Sequence, residues 1–268
     1  MQRVETGSSF VRFELGDITV IALRDGYVDM PSSRLRYGGG QKFERLPPEV
    51  ELVDGRLRLS VNAFLVIDNG QHILIDTGAS DAWLPTMGFL PDALAEAGIP
   101  VDRIETVALT HTHSDHVSGL IEPGGKIAFP ALQRVFVPKA EIAIFSKSSR
   151  LADLRPRCIA MEDGTPIGKR IRALQAAGHS PGHTAFEVES EAGKLLIWGD
   201  VVHVPSIQFS NPEITWEFDE DQAEALMTRR WIFALASRPD VYVAGAHLHF
   251  PGVGKVCPAT SGYEFMPG

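Results

Sequence analysis

The feature that most constrains this chain is a cluster of metal-ligating side chains placed where an apolar strand is predicted to end. Residues 104–110 form the apolar run, and His111, His113, Asp115 and His116 follow it directly. The i, i+2 spacing lets two imidazoles converge, while the last two groups turn to the other side of the same loop. Imidazole and carboxylate together suit zinc, with iron and manganese as alternatives. The cluster therefore predicts a metal site.

Three later segments carry more side chains of this type, each beside a predicted strand. His179 and His183 enclose a Gly/Pro-containing turn, Asp200 follows the strand at 194–198, and His247 ends another strand. A carboxylate at a strand end can bridge two cations, with one oxygen to each. The turn at 179–183 can direct one of its two His inward, so the ligand candidates number five His and two Asp, which is too many for one tetrahedral zinc and suits two metals.

Length and charge narrow the class of protein. The 268 residues fit one large α/β domain, and we expect a single domain over residues 1–268. The formal net charge of −9 argues against nucleic acid as a partner and favours a small-molecule substrate. Residues 1–7 lack the apolar stretch typical of a signal peptide, and no apolar run approaches the length of a membrane span. We therefore expect a cytoplasmic protein with no membrane contact.

Turn signals and hydrophobic patterning predict mixed strands and helices. Gly16-Asp17 and Asn69-Gly70 each separate two apolar strands and predict hairpins. Residues 90–97 predict a short helix and residues 219–237 a longer one. The apolar face expected on the longer helix consists of Ala223, Leu226, Met227, Trp231, Ala234 and Leu235. Residues 31–48, rich in Gly, Pro and Arg, predict an extended loop or arm.

The order of these motifs resembles the metallo-β-lactamase superfamily. The resemblance rests on His-x-His-x-Asp-His at 111–116, Gly-His-Ser-Pro-Gly-His at 178–183, Gly-Asp at 199–200 and Gly-x-His at 245–247. It covers nearly the whole chain. It implies an α/β (α+β) fold of the αββα type, in which two mixed sheets pack together between helices and the metals lie at one edge.

Carried over position by position, the resemblance implies two metal sites. The first contains His111, His113 and His179, the second contains Asp115, His116 and His247, and Asp200 bridges them. Asp76 matches the superfamily's aspartate that orients a ligand histidine, with turn capping as the alternative. His183 and His203 are interpreted as supports behind the ligands.

Further stretches resemble the branch that contains methyl parathion hydrolase and quorum-quenching lactonases. They are residues 15–20, 199–204 and 246–254. Two positions depart from this branch, because His249 and Ser114 stand where it commonly carries Pro. Relatives in the branch are often dimers, which makes the arm near Arg34 to Arg45 a candidate for a homodimer contact.

The implied activity is that of a binuclear hydrolase with two divalent metal ions, zinc first among them. Two metals about 3.5–4 Å apart share a hydroxide that attacks a carbonyl or phosphoryl centre. Asp200 would hold the metals apart, Asp115 would orient the hydroxide, and His249 is the candidate acid for the leaving group. We expect a small, largely apolar lactone, carboxylic ester or organophosphate triester as substrate. The side chains expected around it are Trp83, Met87, Ile207, Phe209 and Trp216.

Other activities of the superfamily stay open at this point. A thioesterase resembling glyoxalase II or a β-lactamase would use the same mechanism, and a persulfide dioxygenase would use one iron. Flavodiiron oxidoreductases share the fold but need a flavin domain that 268 residues cannot provide. The acidic charge argues against RNA-cleaving relatives. A metal-storing or interaction protein would leave the second ligand set unexplained.

Overall fold

Strands dominate the chain, and the helices between them are short. The computed structural model describes residues 1–37 and 40–268. The strands are β1 (Gln2–Thr6), β2 (Phe10–Leu15), β3 (Ile18–Met30), β4 (Leu35–Tyr37), β5 (Gln41–Lys42), β6 (Leu57–Asp68), β7 (Gln71–Ile75), β8 (Thr106–Ala108), β9 (Arg134–Pro138), β10 (Cys158–Met161), β11 (Ile171–Gln175), β12 (Thr184–Ser190), β13 (Gly193–Ile197), β14 (Thr215–Trp216), β15 (Val241–Ala244), β16 (Val253–Pro258) and β17 (Tyr263–Pro267). The helices are α1 (Leu90–Glu96), α2 (Ser114–Val117), α3 (Ile142–Lys147), α4 (Pro205–Gln208) and α5 (Gln222–Ala236). Within the described residues, no helix combines the length and the hydropathy that a bilayer crossing requires.

Two large sheets pack face to face between helices. Their strand orders are β1-β2-β3-β6-β7-β8-β9-β10 and β11-β12-β13-β15-β16-β17. Phe13, Phe64 and Ile75 of the first sheet share a buried core with Phe186 and Leu195 of the second. Further apolar clusters join the outer face of the first sheet to α1 and α3, and that of the second sheet to α5. The predicted αββα sandwich is therefore confirmed.

Both predicted hairpins form, and their turn residues explain why. β2 and β3 pair with Leu15 opposite Ile18, and the Gly16 between them has φ +63°. β6 and β7 meet at Asn69-Gly70, where both residues have positive φ, +49° and +80°. Asn and Gly tolerate the left-handed conformation that tight hairpin turns require. These turns fix the register of the strands that lead to the candidate metal centre described below.

The prediction of the longest helix was correct in extent but wrong about its buried face. α5 lies within the predicted range, and its buried residues are Ala225, Arg229, Ile232, Phe233 and Ala236. By contrast, Met227 is 62% exposed and Trp231 is 47% exposed. The cause is a buried cation, because Arg229 hydrogen-bonds the carbonyls of Val201 and Ile214, each at 2.7 Å. Hydrophobic patterning alone assigns such a residue to the surface.

The expected arm at 31–48 is more ordered than an extended loop. β4 pairs with β5 and with β14, which makes a small third sheet. Leu35 is buried in a cluster with Trp216, and Arg36 is buried and forms a salt bridge with Glu217. Gly38-Gly39 of the predicted arm lies outside the described residues. This segment forms a strand because it pairs with β14, which lies far away in the sequence. The local sequence does not indicate that pairing.

A buried carboxylate on β3 anchors residues 79–90, called here the 79–90 loop. Oδ2 of Asp25 accepts hydrogen bonds from the N–H groups of Ala79 (2.9 Å) and Gly88 (3.0 Å), and Oδ1 accepts one from Leu90 (3.0 Å). Asp25 has no partner of its own in the β3–β6 register, which shifts between Arg24 and Gly26. It is therefore the extra residue of a β-bulge, the kind of position that re-aims a side chain.

We predict that Asp25→Ala lowers the free energy of unfolding by about 2–6 kcal/mol, because two buried N–H groups, and the half-buried one of Gly88, lose their acceptor, and each buried group costs about 1–3 kcal/mol. Asp25→Asn keeps one acceptor oxygen and should lose clearly less. Urea unfolding of both variants measures the difference. Equal losses in the two variants would show that these hydrogen bonds do not stabilise the loop.

Candidate metal centre

Parallel strand pairs bring the predicted ligands to one edge of the sandwich. β7 runs parallel to β8, and β13 runs parallel to β15. The carboxyl ends of parallel neighbours point the same way, so the segments that follow them emerge together. Asp76, His111, Asp200 and His247 lie in the segments that follow these four strands. The sheet order, rather than any local motif, therefore assembles the site.

Four of the predicted ligands form one compact group. Potential ligand atoms of His111, His113, His179 and Asp200 all lie within 4.8 Å of one another. Nε2 of His179 is 3.0 Å from Nδ1 of His113 and 3.3 Å from Oδ2 of Asp200. Nε2 of His111 is 3.7 Å from the same oxygen. Three imidazole nitrogens and one carboxylate facing a common point are a donor set that suits a divalent cation.

A second group lies beside the first and shares Asp200. The ligand atoms of Asp115, His116 and His247 also lie within 4.8 Å of one another. Oδ2 of Asp115 is 3.5 Å from Nε2 of His116 and 3.6 Å from Nε2 of His247. The two oxygens of Asp200 approach these same nitrogens, at 3.2 Å and 3.1 Å. Nδ1 of His247 is held by the carbonyl of Ser60 at 2.7 Å.

Unpaired buried atoms support the interpretation of these groups as metal sites. Nε2 of His111, Nε2 of His116, Oδ1 of Asp200 and both ring nitrogens of His203 are buried without a hydrogen-bond partner in the described part of the chain. A buried polar atom without a partner is energetically costly and rare in native proteins. A bound cation would satisfy the atoms that point into the centre. The residues therefore fit a divalent metal ion.

Asp76 lies where an orienting group for His116 is needed. Its Oδ2 is 2.8 Å from Nδ1 of His116. The same carboxylate accepts hydrogen bonds from the backbone N–H and the hydroxyl of Thr110, both at 2.8 Å. The contact leaves Nε2 of His116 free to face the centre. The carboxylate thus ties the end of β7 to the first residues after β8.

Asp219 plays the same structural part for His179, and sequence reasoning missed it. Its Oδ1 is 2.9 Å from Nδ1 of His179, and its Oδ2 accepts the backbone N–H of Trp216 at 2.9 Å. Burial opposes the charged form, yet the hydrogen bond with His179 and the nearby Arg229 lower the pKa of Asp219 below its ordinary value. In the sequence this residue appears only as the first position of the predicted 219–237 helix. No local signal distinguishes it from a helix-capping aspartate.

Glu141 is a second buried carboxylate that sequence reasoning missed. Its Oε2 accepts hydrogen bonds from the N–H (2.6 Å) and the hydroxyl (2.7 Å) of Thr112. Its Oε1 accepts hydrogen bonds from the hydroxyl of Ser180 and the N–H of Gly182. A Cβ at position 182 would lie 2.8 Å from Cγ of Glu141, which explains the glycine there. Glu141 therefore joins the loop of His113 to the loop of His179.

His183 and His203 lie behind and beside the predicted ligands. Burial lowers the pKa of each to about 4, so both rings are neutral near pH 7. Nδ1 of His183 faces the carbonyl of Ala176 at 2.8 Å, and its Nε2 accepts the backbone N–H of Asp200 at 3.0 Å. His203 stacks on Trp216 at a centroid distance of 5.2 Å, with Nε2 at 3.3 Å from Oδ2 of Asp200. His183 thus positions Asp200, while His203 faces the centre.

The charges of the centre act strongly on one another. Burial opposes ionisation of Asp200, but His116, His247 and His111 hold its pKa well below the usual range. Burial also lowers the pKa of His116, yet Asp200, Asp115 and Asp76 raise it well above the ordinary value. Asp200 thus remains charged, and positive charge beside it stabilises it. A divalent cation would supply that charge.

A cleft of about 410 Å³ opens onto this centre. Its apolar wall contains Val28, Met30, Leu59, Trp83, Trp216 and Phe218. Of the predicted pocket residues, Trp83 and Trp216 therefore lie in the cleft. Val28 and Met30 lie at the end of β3 and Leu59 near the start of β6, both beyond the strands predicted at 18–23 and 61–68, while Phe218 follows β14. Gly26 and the adjoining bulge conceal this extension, because they interrupt the alternating pattern.

Three other predicted pocket residues lie elsewhere. Met87 lines a separate cavity. Ile207 is buried in the apolar cluster under the cleft, and Phe209 stacks on Phe233 at 5.1 Å with an interplanar angle of 10°. Phe209 fills the core between the second sheet and α5 because α4 turns the chain inward after His203. Ile207 and Phe209 therefore pack in cores and do not line the cleft.

His249 also lies outside the cleft. Its side chain is 62% exposed, and its Nε2 is 3.8 Å from a carboxylate oxygen of Glu51, itself exposed. The neighbouring Leu248 is fully buried, so the turn directs the following side chain to solvent. The structure thus does not bring the predicted leaving-group acid to the candidate centre.

Comparison with protein families and curated proteins gives the following matches. The model of the metallo-beta-lactamase superfamily matches residues 56–122. The anti-Pycsar protein Apyc1 of Bacillus phage 010DV004 is 26% identical over 192 residues, which are 64% of this chain and 68% of that protein. The atrochrysone carboxyl ACP thioesterase of Emericella nidulans is 32% identical over 164 residues, 59% of this chain and 46% of that protein. The chain thus spans less than half of this thioesterase.

Solved structures match over nearly the whole chain. AidC, described as a dizinc quorum-quenching lactonase, has a TM-score of 0.84 and 22% identity, with 97% of each chain covered. The hydrolase AbOPH of the beta-lactamase superfamily has a TM-score of 0.85 and 26% identity, with 98% of this chain and 99% of that chain covered. The shared fold, the matched motif region and the cluster of His and Asp lead to one conclusion. The chain carries a metallo-beta-lactamase superfamily domain, matched at residues 56–122, has the fold of that superfamily's hydrolases and a cluster of His and Asp able to bind metal, and is an enzyme.

Proposed function

We propose that this chain is a binuclear hydrolase of small, largely apolar lactones, carboxylic esters or organophosphate triesters. The observation that carries the proposal is the position of Asp200. Its carboxylate lies within 3.7 Å of imidazole nitrogens from both candidate ligand groups. A carboxylate shared by two donor sets is the arrangement that holds two divalent ions side by side. Zinc suits the donors, with iron and manganese as alternatives.

The cleft supports a neutral and apolar substrate. Aromatic side chains of Trp83, Trp216 and Phe218 form its wall, and no Lys or Arg lines it within the described residues. A substrate with a permanent negative charge would therefore find no counter-ion outside the metal centre. The similar structure of AidC was solved with a product, an acyl-homoserine, as ligand. This favours lactones as the first class to test.

The chain's own residues would position the substrate and the ions. Bound divalent ions would activate water near neutral pH and polarise the substrate oxygen. Asp200 keeps the two ligand groups at a fixed separation, and Asp115 faces the cleft from α2. His203 also lines the cleft. It replaces the exposed His249 as the imidazole that would donate a hydrogen bond to the leaving group.

A thioesterase is the second candidate, and the sequence match to an ACP thioesterase favours it. A thioester carbonyl is attacked in the same way as an ester carbonyl, so the centre does not discriminate between them. The two candidates differ in the leaving group, which is a thiol in one case and an alcohol in the other. Substrate comparison is therefore the decisive measurement.

The experiment combines metal analysis with a substrate panel. The purified protein is assayed for zinc, iron and manganese per chain, then for hydrolysis of lactone, aryl ester, phosphotriester, thioester and β-lactam substrates. We expect close to two ions per chain and the highest kcat/KM on lactones or esters. A single iron accompanied by oxygen consumption would contradict a binuclear hydrolase.

We predict that Asp200→Asn lowers kcat/KM by more than about a hundredfold. Removing even a residue that only supports a ligand costs about 10–100-fold, and Asp200 faces both groups directly. Asp240 is an exposed aspartate, so Asp240→Asn is the matched control and should retain full activity. Circular dichroism should show an unchanged fold in both variants. Full activity of Asp200→Asn would rule out the shared-carboxylate arrangement.

We also predict that Asp76→Asn and Asp219→Asn weaken metal binding at different sites. Asp76 orients His116 of one group, while Asp219 orients His179 of the other. Each substitution should lower the affinity of its own site by about 10–100-fold. Dialysis against graded chelator should leave each variant with one retained ion at a concentration where the unmodified protein keeps two. Unaltered retention in both variants would contradict these positioning roles.

A further inference from the structure

A second cavity of about 690 Å³ adjoins the cleft. The side chain of Trp83 lines both spaces. Of its neighbours in the sequence, Ala82 lines the cleft, whereas Asp81 and Leu84 line the second cavity. The tip of the 79–90 loop is therefore the wall that separates the two spaces. The two spaces therefore adjoin at Trp83.

The walls of this second cavity are apolar. They include Met87, Leu90, Leu94, Val101, Ile121 and Phe129. Three carboxylates line it: both oxygens of Asp25 accept backbone N–H groups, Asp81 lies 2.5 Å from Nη2 of Arg150, and Glu122 is exposed to solvent. No Lys, Arg or His lines the cavity within the described residues. A negatively charged group would find no counter-ion here, and the apolar walls fit a hydrocarbon chain.

The dividing wall is held in place before any ligand arrives. Asp25 fixes both ends of the 79–90 loop, and the hydroxyl of Thr86 donates a hydrogen bond to the carbonyl of Tyr27 at 2.7 Å. The two sides of the loop touch at Gly88, where an added Cβ would lie 2.3 Å from the carbonyl oxygen of Ser80. A pre-organised wall lowers the ordering cost of binding.

We propose that this cavity binds the unbranched alkyl chain of a substrate whose ester or lactone group lies in the cleft. The proposal rests on the proposed function for the reacting end of the molecule. It adds that the enzyme selects long-chain substrates, with the chain passing Trp83. Affinity should then rise with chain length, because each buried methylene lowers KM by about fourfold.

The test fills the cavity at a position distant from the metal centre. Ala128 lines the cavity and is buried, with 9% exposure, so Ala128→Leu occupies part of the space. Ala95→Leu is the matched control, since Ala95 is exposed on α1. Thermal unfolding checks that both variants remain folded. KM and kcat are then measured for 4-nitrophenyl acetate, butyrate, hexanoate and octanoate, with the metal-loaded protein.

In the unmodified protein and in Ala95→Leu we expect KM to fall steadily from butyrate to octanoate. In Ala128→Leu the KM for octanoate should rise at least about tenfold, the size of two lost methylene contacts, while acetate is unaffected. A KM that does not depend on chain length would overturn the proposal. An equal effect of Ala128→Leu on acetate and octanoate would also overturn it, since that indicates a general structural defect.

Calorimetric binding of octan-1-ol separates this proposal from the proposed function. Binding to the metal-loaded protein that is weakened in Ala128→Leu but not in Ala95→Leu supports an alkyl-chain site, whatever the reaction is. If octan-1-ol binds in this way but no ester or lactone is hydrolysed, the proposed function fails and the alkyl-chain site stands. If esters are hydrolysed but octan-1-ol does not bind, the alkyl-chain site is refuted and the hydrolase stands.

Discussion

The candidate metal centre at the edge of the sandwich depends on the contact between one buried carboxylate and the imidazoles around it. Asp200 is 3% exposed, and its oxygens lie 3.1 to 3.7 Å from ring nitrogens of several histidines. An isolated buried anion is strongly unfavourable and persists only where positive charge or hydrogen bonds compensate it. Several donor atoms of the centre have no hydrogen-bond partner in the described part of the chain, which fits a place for a cation. A bound cation would stabilise the folded state.

Three further buried carboxylates surround the candidate metal centre and fix the segments that carry its side chains. Asp76 joins the ends of two parallel strands, Asp219 joins the start of α5 to His179, and Glu141 joins two loops. Each spans segments at least 29 positions apart in the chain. A histidine whose outer nitrogen is fixed presents its inner nitrogen in one direction. The geometry of the centre is thus set by long-range contacts, which a local motif cannot encode.

The ligand residues are grouped in local motifs, whereas the carboxylates that hold them act over long range. This difference explains what the sequence predicted and what it did not. The seven ligand candidates were recognisable because unusual side chains were grouped at strand ends, and the structure brings their donor atoms within two compact groups. Asp219 and Glu141 carried no such signal, since single carboxylates are common on surfaces. The buried face of α5 was mispredicted because Arg229 occupies it. Hairpin turns were predictable for the opposite reason, since Asn-Gly acts through its own backbone preference.

The bulge at Asp25 shows how one local irregularity can shape both cavities. Before the bulge, Val20 and Ala22 face the second sheet. An extra residue reverses this alternation, so that Val28 and Met30 turn to the opposite side and reach the cleft. The carboxylate of the extra residue itself holds the 79–90 loop, which forms the wall between the two spaces. The depth of the cleft and the position of its wall are therefore set by a single insertion in β3. Substitutions in this part of β3 can therefore alter the width of the cleft without touching the candidate metal ligands.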